Sequence, residues 1–242
     1  MTSKSSISDI PGAWLVHILT ASGALFGLLA LQASARGAFV IALGWMAVTI
    51  AIDGVDGALA RWRRVSVHLP YFDGALLDNM VDFFTYVLVP AYFLLYAPVL
   101  TEAWRLPVAA AIIFSSAYQF SQTEAKTADH AFTGFPSYWN IAVCYLFLLE
   151  WPPVVNAAVL LLCAGAVFIP VRYLYPSRTP HYRAINILLG LLWAAAVLGA
   201  LAVYPKGHHP LILLSMLYLI YYFAFSLWLT FRRKSATEKE AS

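Results

Sequence analysis

Apolar runs succeed one another along almost the whole chain, and this constrains the fold more than anything else in it. They cover approximately residues 12–32, 37–58, 75–99, 106–124, 137–151, 153–174, 184–204 and 210–231. Each is close to the roughly 20 residues that a helix needs to cross a bilayer. Charged residues make up 11% of the 242 and hydrophobic ones 62%, whereas a soluble domain carries about 25% charged residues. The expectation is an all-α integral membrane protein with about eight transmembrane helices in a single membrane domain, 1–242. No separate soluble domain fits. The fifth run is short, and Pro152-Pro153 cuts it from the sixth; a re-entrant pair is the alternative there. The run from Pro11 to Gln32 exceeds the roughly 7–15 residues of a signal-peptide core and reads as a retained first span. The end of the chain, 232–242, is polar and reads as a flexible tail.

Lysine and arginine fix the orientation. With eight spans and the N-terminus inside, twelve of the fifteen basic residues fall on the cytoplasmic side and only Arg36, Arg105 and Lys206 on the other. That asymmetry is the positive-inside pattern, and it makes both termini cytoplasmic. The net charge of +3 is small and unclustered, so nucleic acid is not expected as a partner. Cys144 and Cys163 lie in apolar runs and do not read as a disulfide or a zinc site.

Five of the seven aspartates lie in one stretch, DGVDGALARWRRVSVHLPYFDGALLDNMVD, from Asp53 to Asp82. An aspartate at mid-membrane costs roughly 2.5–3.5 kcal/mol on insertion scales, so intramembrane acids are functional candidates by default. Asp53 and Asp56 are three apart and end one apolar run; Asp78 and Asp82 are four apart and begin the next. Each pair therefore lies on one helix face. The short connection makes the two helices antiparallel neighbours, with both acidic ends at the same membrane surface. Four converging carboxylates repel unless a cation joins them, and a cage of oxygens suits one or two hard divalent ions, Mg²⁺ or Mn²⁺. Gly57, Ala60 and Gly74 are small enough for a ligand or a neighbouring helix to approach the backbone. Arg61 lies beside the acids and suits an anionic phosphate. Metal, arginine and a spare carboxylate together are the equipment of phosphoryl transfer. Helix-end charges paired with Arg61, Arg63 and Arg64 are the plainer reading, but they leave four acids at these spacings without a reason.

The pattern D-x2-D-G-x2-A-R followed by G-x3-D-x3-D resembles the signature of the CDP-alcohol phosphotransferases. Asp53, Asp56, Gly57, Ala60, Arg61, Gly74, Asp78 and Asp82 match all eight of its fixed positions. The twelve residues from Trp62 to Asp73 form a longer insert than most members have. That insert, the DGVDG start and a second stretch, KTADHAFTGFPSYWN (Lys126 to Asn140), are similar to the bacterial branch of the family that uses choline as acceptor. The likeness runs over most of the chain.

What the resemblance implies is specific. The reaction would move a phosphatidyl group from CDP-diacylglycerol to choline, giving phosphatidylcholine and CMP, at the cytoplasmic face of a bacterial inner membrane. Asp53, Asp56 and Asp78 would hold the divalent metal. Asp82 would be the general base and, by the same analogy, also touch a second metal. Gly57, Ala60 and Gly74 would leave room for the cytidine, and Arg61 would steady the phosphates. Choline carries a fixed positive charge, so its site should contain aromatic faces or an acid; Glu124, Tyr138 and Trp139 are the candidates. On the residues alone, those aromatics fit an interfacial belt as well as a cage for a quaternary ammonium. Many relatives are homodimers, so a second copy is an expected partner beside membrane lipid. Glycerol phosphate, inositol and serine remain alternative acceptors. A cation transporter is the alternative outside the class, although no internal repeat of the kind transporters show is evident. In the first span, Gly23 and Gly27 suit close helix packing, and His17 reads as a packed histidine.

Overall fold

Each apolar run forms helix, and each break between runs has a local cause. A computed structural model describes residues 10–122, 132–169, 172–173 and 183–240. The chain divides into two units, one ending at Ala97 and the other beginning at Pro98.

The first unit is a helical hairpin with a third long helix laid against it. Helix α1 (Ile10–Ala35) and helix α2 (Phe39–Trp62) are joined by a turn in which Gly37 has φ +72°, a conformation glycine adopts without a steric penalty. After α2 the chain reverses through Arg64, at φ +48°, into a single helical turn, α3 (Val65–His68). Buried Val65 and Leu69 then pack on Ala13 and Val16 of α1. The insert between the two halves of the aspartate motif is thus a folded piece, pinned to α1 by apolar contact.

Helix α4 (Gly74–Tyr96) follows. Asp73 caps it, accepting a hydrogen bond from the Leu76 backbone N–H at 2.9 Å, as its position just before the third apolar run suggests. Within α4, Phe83–Leu88 widens to π-helix, and the Val89 N–H bonds to the Phe84 carbonyl, five residues back. Pro90 supplies the reason. Its ring would press on the carbonyl four residues earlier and it has no N–H to offer, so the turns before it open.

Helix α1 is the platform for this unit, packing along both α2 and α4. A Cβ built on Gly23 would stand 3.0 Å from Val81, and one on Gly27 would stand 2.6 Å from the Phe84 ring and 3.3 Å from Thr85. These two glycines, one turn apart, set the closeness of α1 to α4. Gly27→Leu should therefore lower the thermal midpoint of the purified protein, at an overpacking cost of about 1–3 kcal/mol. Gly44→Leu, at a glycine with nothing within 4 Å of an added Cβ, is the matched control.

The second unit contains α5 (Glu102–Ser121), α6 (Trp139–Leu149), α7 (Pro153–Ala166), α8 (Arg183–Val203) and α9 (His209–Glu240). A two-residue antiparallel bridge, β1 (Phe132–Thr133) with β2 (Arg172–Tyr173), pairs Phe132 with Tyr173. Helix α5 packs on α7, and α9 packs on α8 and α6. Asn156 ties the start of α7 to the Val99 carbonyl at 2.9 Å. The sixth apolar run extends to residue 174, but its helix stops at Ala166. At the other end of the chain, α9 continues through Arg232 to Glu240, in the part read from sequence as a tail; RRKSATEKE is rich in helix formers.

Among the described residues the architecture is all-helical apart from the short bridge. Among the described residues four helices, Ile10–Ala35, Phe39–Trp62, Gly74–Tyr96 and Ala184–Val203, are long and apolar enough to cross a membrane. Their outer faces are apolar too. Leu15 and Ile18 on α1 are 65% and 60% exposed, the distribution of a helix that meets lipid on one side and protein on the other.

Candidate active site

The aspartates arrive from two helices. Asp53 stands near the end of α2, while Asp78 and Asp82 lie one turn apart on α4. Carboxylate oxygens of Asp53, Asp78 and Asp82 all lie within 4.8 Å of one another, each residue half-buried. All donors in this group are carboxylate oxygens, the chemistry that suits a hard divalent ion. Three anions held so close would otherwise repel or take up protons.

Asp56 has a different setting. It is buried, and its Oδ2 accepts a hydrogen bond from the Thr20 hydroxyl of α1 at 2.7 Å. It lines a cavity of about 810 Å³ beside the carboxylate group. Asp78 lines the same cavity, so it belongs both to the carboxylate group and to the cavity wall. Gly57, Ala60, Arg61 and Gly74, the four motif residues expected from sequence to meet the CDP-lipid, also line this cavity. The Arg61 guanidinium lies back along α2, 3.4 Å from where a Cβ on Gly57 would be. Arg64 lines the cavity as well. Arg63 does not line it; its guanidinium stacks 4.4 Å from the Trp62 ring centroid and lies 3.4 Å from where a Cβ on Gly12 would be.

Helix α1 contributes more than packing. His17 is buried and lines the cavity. Its ring stands 4.4 Å from that of Phe72 and 5.9 Å from that of Trp14. It also fills the space over Gly74, where an added Cβ would come within 2.7 Å of its Cε1. Nε2 of His17 has no hydrogen-bond partner among the described residues. Gly74→Ala should therefore push the His17 ring into the cavity. The expected cost is about 1–3 kcal/mol of stability together with weaker CDP-lipid binding, read by thermal shift with and without ligand. Tyr86, on the π-helical stretch of α4, donates its hydroxyl hydrogen to Asp53 Oδ2 at 2.7 Å.

His17 and Thr20 sit in HILT, three residues apart, at the height of the aspartates. Their hydrogen-bonding groups in an apolar run were the signal that could have marked them. For Tyr86 the sequence offers no signal beyond its spacing of four residues from Asp82.

The three positions proposed for choline divide. Glu124 lies outside the described residues. Tyr138 is half-buried at the start of α6. Trp139 is fully buried, and its indole N–H donates to the Ser116 hydroxyl at 2.7 Å. Ser116 in turn meets the Ser137 hydroxyl at 3.1 Å, and Ser137 bonds to Gln119. Trp139 thus anchors a buried polar network that ties α5 to the start of α6.

A second titratable group, Glu150, His208 and His209, offers ligand atoms within 4.8 Å in the second unit. There the backbone already engages His208: its ring nitrogens stand 3.0 Å from the carbonyls of Pro205 and Leu148. Glu150 accepts from the Tyr204 hydroxyl at 3.0 Å.

Comparison with known proteins gives one consistent result. Residues 14–171 match the family model for CDP-alcohol phosphatidyltransferase. The chain is 42% identical over 226 residues to the phosphatidylcholine synthase of Legionella pneumophila, covering 90% of this chain and 89% of that protein. It is 33% identical over 227 residues to the phosphatidylcholine synthase of Borreliella burgdorferi, covering 92% and 96%. With that of Rhizobium meliloti it shares 37% identity over 190 residues, 78% of each chain.

Proposed function

From the premise that this chain belongs to the CDP-alcohol phosphatidyltransferase family, we propose that it transfers the phosphatidyl group of CDP-diacylglycerol to choline, releasing CMP. The observation that carries the reading is the convergence of Asp53, Asp78 and Asp82 beside a cavity lined by Asp56, Arg61 and Asp78. The relatives named above, all phosphatidylcholine synthases, support choline as the acceptor.

Asp53, Asp78 and Asp82, with Asp56 alongside, would hold one or two divalent ions, Mn²⁺ or Mg²⁺. Such an ion, when bound, neutralises the pyrophosphate and stabilises the departing CMP. The remaining work falls to the chain's own groups. Arg61 holds phosphate oxygens in the cavity by charge-assisted hydrogen bonds. Gly57 and Ala60 keep the wall of α2 low, so that the nucleotide lies against backbone. Asp82, the second acid that α4 brings to the carboxylate group, takes the proton from the choline hydroxyl as the phosphorus–oxygen bond forms. Transfer is direct, with CMP as leaving group. Glu124 and Tyr138 remain the proposed choline contacts. Trp139 would act through the position it gives its neighbours, because its own ring is enclosed.

In this reading the eight apolar helical stretches all cross the bacterial inner membrane, both termini are cytoplasmic, and the aspartates open to the cytoplasm. Two copies form the working unit, as in many family members. Expression in a bacterium that makes no phosphatidylcholine, with choline in the medium, tests the function. The lipid extract should contain phosphatidylcholine only when choline is supplied. Its absence, with the protein present in the membrane, would contradict the reading.

A further inference from the structure

We infer that Tyr86 is a positioning residue for the metal-binding carboxylates, acting through Asp53. The inference rests on the metal-dependent reading above.

Three observations meet at this residue. Its hydroxyl donates to Asp53 Oδ2 at 2.7 Å. It is 7% exposed, so water competes little for that hydrogen bond. It stands on the π-helical stretch Phe83–Leu88, which begins immediately after Asp82.

The π-helix explains how Tyr86 reaches Asp53. In a regular α-helix, side chains four apart drift by about 40° around the axis. Asp78, Asp82 and Tyr86 would then fan progressively away from one another. The wider turn after Asp82 reverses part of that drift. It returns Tyr86 toward the face that carries Asp78 and Asp82, opposite α2. One helix therefore supplies two carboxylates and the hydroxyl that orients the third. A donor on Oδ2 restricts rotation of the Asp53 carboxylate and so holds it in one orientation toward Asp78 and Asp82. Outer partners of this kind commonly tune metal affinity by about 10–100-fold.

The test uses the full-length protein in detergent, with Mn²⁺ as the probe. Free Mn²⁺ is followed by electron paramagnetic resonance in the parent, Tyr86→Phe, Asp53→Asn and Tyr92→Phe. Tyr92, whose hydroxyl meets that of Tyr96 at 3.2 Å on the same helix, is the control for loss of a phenol. Tyr86→Phe should raise the Mn²⁺ dissociation constant about tenfold or more. Turnover at saturating Mn²⁺ and the thermal midpoint in chelator should stay near the parent's, because only one oxygen is lost. Tyr92→Phe should bind Mn²⁺ like the parent. If Tyr86→Phe proves unstable when purified, the Mn²⁺ concentration for half-maximal activity, read in membranes, makes the same comparison. Mn²⁺ affinity unchanged in Tyr86→Phe but lost in Asp53→Asn overturns this inference and leaves the metal reading standing. Affinity unchanged in both overturns the two together.

Discussion

Asp82→Asn should lower turnover by about 10²–10⁴-fold, the usual contribution of a positioned general base, while CDP-diacylglycerol still binds. Asparagine matches the size of aspartate and keeps one oxygen, so the packing of α4 is undisturbed. What it loses is the negative charge and the ability to take a proton. Asp82 is half-buried, within 4.8 Å of two other carboxylates, on the last regular α-helical turn before the π-helical stretch. Two anions remain there to hold an ion. Kinetic analysis should show kcat falling with little change in the KM for the CDP-lipid. Turnover equal to the parent's would sink the base assignment. Loss of CDP-lipid binding in step with turnover would move Asp82 into the metal-holding role alone.

Asp53→Asn should act earlier in the cycle. It removes an anion from the same group and alters the acceptor of the Tyr86 hydroxyl. A residue that holds the metal directly should matter at least as much as its outer partners, whose loss costs about 10–100-fold in metal affinity. The expected result is therefore a loss of Mn²⁺-dependent CDP-lipid affinity of that order or larger. Isothermal titration at low and saturating Mn²⁺ checks it. Affinity that is as strong, and as dependent on metal, as in the parent would show that Asp53 is not a ligand.

The two substitutions separate roles that the sequence joins. By spacing, Asp53, Asp56, Asp78 and Asp82 look equivalent, two on each of two helices. In three dimensions Asp56 stands apart, paired with Thr20 and facing the cavity, while the other three converge.

What sequence reveals and what it conceals here divide along a physical line. Apolar runs announce helices because burial or lipid contact demands them, so the helices appear where the runs lie. The cap at Asp73 was legible because capping is local chemistry. Gly23 and Gly27 were legible as a close-packing stripe, since four-residue spacing puts them on one face. The partnerships of Thr20 with Asp56 and of Tyr86 with Asp53 were not. They join residues 36 and 33 positions apart, and depend on how each helix is rotated about its axis. The π-helical stretch changes that rotation within α4, and only the distant Pro90 hints at it. The two helices that carry the aspartates read as direct neighbours and meet at the carboxylates; what the sequence did not show is that both are also seated on α1, which is why His17 and Thr20 come to line the cavity. Trp139 read as an open aromatic face. Its indole N–H needed an acceptor once buried, and Ser116 provides one from a helix that sequence reasoning had left without a polar role.

The most direct test is CMP release by the purified protein in nanodiscs, supplied with CDP-diacylglycerol and Mn²⁺ and with choline, glycerol 3-phosphate, inositol or serine in turn. The account predicts release with choline alone, abolished by chelator and restored by added Mn²⁺. Release with another acceptor in place of choline would contradict the choline assignment while leaving the carboxylate chemistry intact. No metal-dependent release with any acceptor would contradict the reading of the aspartates as a phosphotransfer site.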